Sequence, residues 1–210
     1  MFYRVVAGIV KGLIFIINGK TTVQNIDKLP KEGTFILVGP HRSILDPVFF
    51  ALAAYPRPFT FMAKEELFKH KLLGWFIAKL GAFPVNRDNP GPSALKIPVK
   101  GLKDQGRNLI IFPSGSRHSE DLKGGAVTIA KLSGAPIIPV VYQGPLSIGG
   151  LFSRKKTSVR FGDPIIVERK TKLDKENIQL FDQKMHDAFK QLDTELNPKF
   201  VYVPKEKNKQ

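Results

Sequence analysis

His41 and Asp46 stand with four residues between them in the stretch H-R-S-I-L-D. A carboxylate that accepts from one imidazole nitrogen fixes the ring's tautomer and leaves the other nitrogen free to take a proton from a hydroxyl. A general base held this way contributes about 10²–10⁴ in rate. The same residues also read as a polar loop histidine and an aspartate that caps a helix, with Pro47 at the first helical position. Arg87 and Arg117 each follow a short apolar run, as His41 follows Phe35–Val38. Two guanidiniums near a histidine form a phosphate site, because arginine binds phosphate bidentately. Gly115 would let the backbone approach the anion, and Lys123 would add a point charge. Taken singly, each of these four reads as an ordinary solvated or turn residue; it is their combination that points to a phosphate site.

Other chemistries find less support. Ser114-Gly115-Ser116 lacks the G-x-S-x-G pattern of a nucleophile elbow, although a lipid hydrolase using Ser114 or Ser116 is a competing reading. His70, His118 and His186 have no metal-ligand spacing, so no metal and no cofactor are expected. Without cysteine there is no thiolate nucleophile and no disulfide framework. The 210 residues carry 33 Lys and Arg against 18 Asp and Glu, a net charge of +15. Residues 1–165 hold 23 of the basic and 10 of the acidic residues, so the field belongs to the body of the chain. Its partner is anionic: a nucleic acid, a membrane surface or a phosphorylated substrate. Buried-looking strands and the lack of a nucleic-acid motif make a nucleic-acid-binding protein the alternative from another class, not the expected one.

Strands and helices alternate around these residues. The expected fold is α/β, a single domain whose central sheet, mostly parallel or mixed, is flanked by helices. Phe35–Val38, Phe59–Ala63, Gly81–Arg87, Asn108–Phe112, Pro136–Tyr142 and Thr157–Phe161 read as strands. Ser93–Gln105 reads as a helix that Pro98 should kink or interrupt. Ala126–Leu132 reads as a short helix closed by Gly134. Ile178, Phe181, Met185, Phe189, Leu192 and Leu196 recur at helical spacing, the buried stripe of a surface helix. Residues 1–19 form an apolar segment broken by Arg4 and Lys11, too short an uninterrupted run for a transmembrane span and without a signal cleavage site. It reads as an interfacial helix on a membrane, or as a helix packed on the core. Lys64–Leu80, with Trp75 and four surrounding lysines, is either a second membrane-facing segment or a core helix, split in two where Gly74 weakens it. The expected division is 1–19 interfacial helix, 20–165 catalytic core, 166–200 strand end and amphipathic helix, and 201–210 a disordered basic tail.

Four ordered blocks resemble the membrane-associated glycerolipid acyltransferases, in particular the bacterial 1-acyl-glycerol-3-phosphate acyltransferases. They are His41–Asp46 as H-x4-D, Gly81–Arg87 as G-A-F-P-V-N-R, Phe112–Ser119 as F-P-S-G-S-R-H-S, and Ala135–Val140 as A-P-I-I-P-V. A lysine-glycine step at Lys123-Gly124 also falls where the family has one. The resemblance covers about residues 20 to 165. It implies transfer of a fatty acyl group from an acyl thioester, on coenzyme A or acyl-carrier protein, to the free hydroxyl of lysophosphatidate, giving phosphatidate. His41 would deprotonate that hydroxyl for direct attack, oriented by Asp46, with no covalent acyl-enzyme and no metal. Arg87, Gly115, Arg117 and Lys123 would hold the acceptor's phosphate, while Phe83, Ser114, Ser116 and Pro139 would line the substrate pocket. The implied location is the cytoplasmic face of the cell membrane, on an anionic surface. The chain departs from the family in the third block, where glutamate and threonine are replaced by Ser114 and Ser116. That leaves a different lysophospholipid, or glycerol-3-phosphate, as an alternative acceptor.

Overall fold

The computed structural model describes residues 1–86, 90–114 and 124–202. Seven strands form one sheet: β1 (Thr21–Gln24), β2 (Ile36–Val38), β3 (Phe59–Lys64), β4 (Ala82–Val85), β5 (Asn108–Ile111), β6 (Ile137–Gln143) and β7 (Thr157–Phe161). Their spatial order is β1-β7-β6-β2-β5-β3-β4, and every pairing is parallel except β6 with β7. The α/β expectation holds, and the sheet is mixed. β6 divides its pairing: Ile137–Pro139 run beside β2, and Val140–Gln143 run beside β7.

The central strands are mostly apolar because both faces of the sheet are covered. Leu37, Ile110, Ile138 and Val140 point to one side, into a core shared with α1 (Phe2–Asn18) and α2 (Asp46–Ala53). Ile36, Val38, Leu109, Ile111, Ile137 and Val141 point to the other. There they meet α4 (Ser93–Asp104), α5 (Gly125–Ser133) and α6 (Lys175–Leu196). The stripe read from the sequence is the one α6 buries, through Phe181, Met185, Phe189 and Leu192, and Asp174 caps its start by accepting from Asn177 N–H.

Four readings change. β1 is an extra edge strand; T-T-V-Q is too short and too polar to announce itself, and its pairing with β7 defines it. α4 runs through Pro98 without interruption. The Lys64–Leu80 segment does divide, into a 3-10 turn at Glu65–Phe68 and α3 (Lys71–Leu80), but the break falls at Lys69–His70. Gly74 lies inside α3, where a Cβ would sit 2.9 Å from Phe68 Cα, so the glycine permits the turn to fold back on the helix. Finally, α3 is not a core helix: Gly74 is its one buried residue, while Leu72, Leu73, Trp75 and Phe76 are exposed.

α1 is present as expected and is two-sided. Tyr3, Ala7 and Ile14 enter the core, while Val5, Ile9, Leu13, Phe15 and Ile16 face solvent. Phe2 packs edge-on against Trp75 and Phe76, which joins the exposed apolar surfaces of α1 and α3. Among the described residues no helix is long and apolar enough to cross a membrane.

Candidate active site

β2 and β5 are parallel neighbours with Val38 opposite Ile111, so the loops leaving them emerge from the same edge of the sheet. Ligands of open α/β sheets bind beyond such carboxyl ends. β2 leads through Gly39-Pro40 to His41, and β5 leads into Phe112-Pro113-Ser114. Gly39 is required by close approach: a Cβ there would lie 2.5 Å from the Val140 carbonyl oxygen and 2.7 Å from the Phe50 ring. The absence of a side chain lets the chain turn tightly over α2 and deliver His41 to the edge.

The loop that follows is folded around one carboxylate. Asp46 is 1% exposed, and its Oδ2 accepts from Arg42 N–H and Ser43 N–H, both at 2.6 Å, and faces His41 Nδ1 at 3.4 Å. The N-cap position of α2 belongs to Leu45, with Asp46 the first helical residue and Pro47 the second. This corrects the capping expectation by one position. The carboxylate turns back to the loop amides that precede the helix. Ser43 completes the loop: its Oγ accepts from Leu45 N–H at 2.9 Å and donates to the Leu146 carbonyl at 2.8 Å.

An ionised carboxylate only accepts, so its contact with Nδ1 selects the tautomer protonated there and leaves a lone pair on Nε2. Nε2 makes no hydrogen bond to the described residues. The 3.4 Å separation is long for a hydrogen bond. The ring is 11% exposed and lies against Phe112, with centroids 4.1 Å apart and planes at 21°. Phe112 in turn stacks on Phe50 at 5.9 Å. Beneath the site, Tyr142 stacks on Phe49 at 4.3 Å and donates to the Pro145 carbonyl at 2.9 Å. Burial, and then the negative charge of Asp46, push the Tyr142 phenol well above its ordinary value, so it stays neutral.

The arrangement therefore unites His41 and Asp46. Ser114, three residues beyond β5, is buried near the same edge. Pro139 lies opposite Val38, the last residue of β2, and its carbonyl accepts from Gly162 N–H at 2.8 Å. Phe83 is buried in a small cluster with Val85, Ala94 and Met62. Arg87, Gly115, Ser116, Arg117 and Lys123 lie outside the described residues. Phe112 and Ser43 carry roles that spacing did not assign to them. An aromatic residue directly after a strand that neighbours β2 is the signal for Phe112; Ser43 gives no such signal.

The sequence of residues 20–143 matches the family model described as Acyltransferase. The chain is 45% identical over 196 residues to a Streptococcus pneumoniae protein named 1-acyl-sn-glycerol-3-phosphate acyltransferase, covering 93% of this chain and 74% of that one. It is 38% identical over 198 residues to a Bacillus subtilis protein of the same name, covering 93% and 98% respectively. The crystal structure of the 1-acyl-sn-glycerophosphate acyltransferase from Thermotoga maritima superposes with a TM-score of 0.68 at 21% identity, over 95% of this chain and 81% of that one. That last likeness speaks to the fold. With a family model spanning more than half of its length and relatives this similar along nearly all of it, the chain belongs to the acyltransferase family.

Proposed function

We propose that this enzyme moves a fatty acyl group from an acyl thioester to the free hydroxyl of 1-acyl-glycerol-3-phosphate, giving phosphatidate for phospholipid synthesis. The observation that carries the reading is His41, held by a buried carboxylate through Nδ1 with Nε2 unengaged among the described residues, in a chain closely similar to relatives of that name. Nε2 takes the hydroxyl proton as the oxygen attacks the thioester carbonyl. The new C–O ester bond forms, the C–S bond breaks, and the imidazolium returns its proton to the departing thiolate. Asp46 stabilises the imidazolium while it lasts. Because the hydroxyl attacks directly, no acyl-enzyme intervenes.

Arg87, Arg117, Gly115 and Lys123 are proposed to hold the acceptor's phosphate, and Ser114, Ser116, Phe83 and Pro139 to shape the pocket. Either acyl-CoA or acyl-carrier protein suits the positive body of the chain, since both carriers are anionic. The joined apolar surfaces of α1 and α3, with Arg4, Lys11, Lys71 and Lys79 on those helices, are proposed to rest on the anionic cytoplasmic face of the cell membrane. Each lysine near such a leaflet adds about 1 kcal/mol.

An assay offering both donors with lysophosphatidate, other lysophospholipids and glycerol-3-phosphate tests the acceptor and the carrier together. Phosphatidate formation that disappears in His41→Ala, in a protein that melts normally, is the expected result. Retained turnover in that variant refutes the mechanism. Labelling of Ser114 or Ser116 by a fluorophosphonate probe would point to a serine hydrolase instead. Preference for another lysophospholipid or for glycerol-3-phosphate would assign the Ser114 departure to acceptor choice.

A further inference from the structure

The residue after the base is tied to the far end of the chain. Arg42 donates through Nη1 to Asp193 Oδ1 at 2.9 Å and through Nη2 to Asp193 Oδ2, a two-point fork across 151 positions of sequence. Each side chain is 12% exposed. Asp193, near the end of α6, is itself held by Gln143 Nε2, which donates to its Oδ1 and to its backbone carbonyl, both at 3.0 Å. The segment after α6 then closes over the pair. The Arg42 guanidinium carbon lies 5.1 Å from the Phe200 ring centroid and 5.4 Å from that of Tyr202, and the Tyr202 hydroxyl donates to the Arg42 carbonyl at 3.4 Å. Tyr202, assigned by sequence to a disordered tail, is thus packed beside the active-site loop.

From this geometry we infer that Arg42 and Asp193, covered by Phe200 and Tyr202, are positioning residues that hold His41 in register with Asp46. The inference rests on His41 as the base. Arg42 is gripped at both ends: its amide by Asp46 and its guanidinium by Asp193. A planar fork bound at two points resists rotation, which a single-point contact does not. The His41–Asp46 contact is already long, so small shifts of the peptide between residues 41 and 42 change whether Nδ1 meets the carboxylate. Phe200 and Tyr202 keep water from the ion pair and so keep it strong. A clamp of this kind acts on turnover and leaves acceptor affinity alone, since none of its four side chains is among those assigned to the phosphate.

The test compares Arg42→Lys, Asp193→Asn, and the double variant Phe200→Ala/Tyr202→Ala, with His41→Ala as control. Each is assayed well below its melting temperature for kcat, for KM toward lysophosphatidate, and for the rate of histidine modification by diethylpyrocarbonate. Positioning predicts that Arg42→Lys, which keeps the charge without the fork, and Asp193→Asn lower kcat about 10- to 100-fold, with KM within about twofold. The double variant, which removes only the aromatic cover, lowers kcat about 3- to 10-fold. All three should expose His41 to faster modification. Wild-type kcat in folded variants that merely melt earlier would make the network a structural tie and overturn the inference. A raised KM at unchanged kcat would overturn it too, by assigning the cluster to substrate binding. If Arg42→Lys or Asp193→Asn does not fold, the double variant decides by the same criteria. Activity retained in His41→Ala would instead sink the base assignment on which the inference rests.

Discussion

Asp46 separates two roles that most substitutions would confuse. Among the described residues its hydrogen-bonding contacts run to one oxygen, Oδ2: the amides of Arg42 and Ser43 at 2.6 Å and His41 Nδ1 at 3.4 Å. Asparagine can place its carbonyl oxygen where Oδ2 stands and keep every acceptor contact, losing only the charge. Alanine strips two amides in a buried loop, at roughly 1–3 kcal/mol each, so Asp46→Ala should lose about 2–6 kcal/mol against a typical total of about 5–15 kcal/mol. Asp46→Asn should melt within a few degrees of wild type. Its catalytic loss is another matter. A full charge 3.4 Å from the imidazolium is worth at most about 5 kcal/mol at an effective dielectric of about 20. Neutral hydrogen bonds retain about half the strength of charge-assisted ones. A fall in kcat of about 10²–10³-fold is the expected result for Asp46→Asn. Thermal unfolding and steady-state acyl transfer, run on both variants, read the two effects independently. Full turnover in Asp46→Asn would refute the claim that the carboxylate stabilises the protonated base. Equal destabilisation of the two variants would refute the claim that it serves the loop as an acceptor.

The exposed surface of α3 gives a second expectation. Leu72 is 81% and Trp75 54% exposed, so Leu72→Ser/Trp75→Ala should lower the melting temperature by only a few degrees, through the lost contact of Trp75 with Phe2. A fully buried leucine contributes about 1.5–3 kcal/mol, and the pair should therefore weaken cosedimentation with anionic vesicles about 100-fold; undiminished binding would count against the proposed membrane face. Tyr3 on α1 is buried under the Arg107 guanidinium, 6.0 Å from its ring centroid, and its hydroxyl has no partner among the described residues. Burial pushes that phenol up to about 12. Tyr3→Phe should hold or raise stability by up to about 1–2 kcal/mol, and a lower melting temperature would reveal an unseen partner for the hydroxyl. On α6, burial raises the Asp182 carboxyl above its ordinary value of 3.8. The folded state then holds that proton more tightly than the unfolded state, so the charge costs stability at neutral pH and the cost disappears below 3.8. Asp182→Asn should be more stable at pH 7 by under about 1 kcal/mol, given solvent screening, and indistinguishable from wild type at pH 3; a gain that persists in acid would exclude the electrostatic cause.

Much of the architecture was legible in the chain because its causes are local. Apolar runs such as Asn108–Phe112 form strands buried on both faces, and the spacing from Ile178 to Leu196 forms one buried helical stripe. The pairing of His41 with Asp46 is legible for the same reason, since four intervening residues suffice to close the loop around Asp46. The differences arise from contacts that local propensity does not count. At Gly74, propensity counts a glycine's flexibility and not the backbone of Phe68 packed against it. β1 carries no signal of its own because a polar four-residue edge strand is defined by its neighbour β7.

By itself, then, the sequence determined where the positive field lies and that strands and helices alternate, and it singled out His41 and Asp46 as the pair proposed for base and carboxylate. Tertiary structure alone decided what lies against the base. Phe112 reaches His41 because β5 is placed beside β2, and that order is not encoded in the spacing between the two strands. Leu146 receives the Ser43 hydroxyl from 103 positions away, and Asp193 meets Arg42 from 151 positions away. Such contacts depend on how helices and loops dock across the sheet, and docking is governed by shape and burial summed over the whole core. The loop from His41 to Asp46 is thus locally written, and the surroundings that hold its imidazole in place are not.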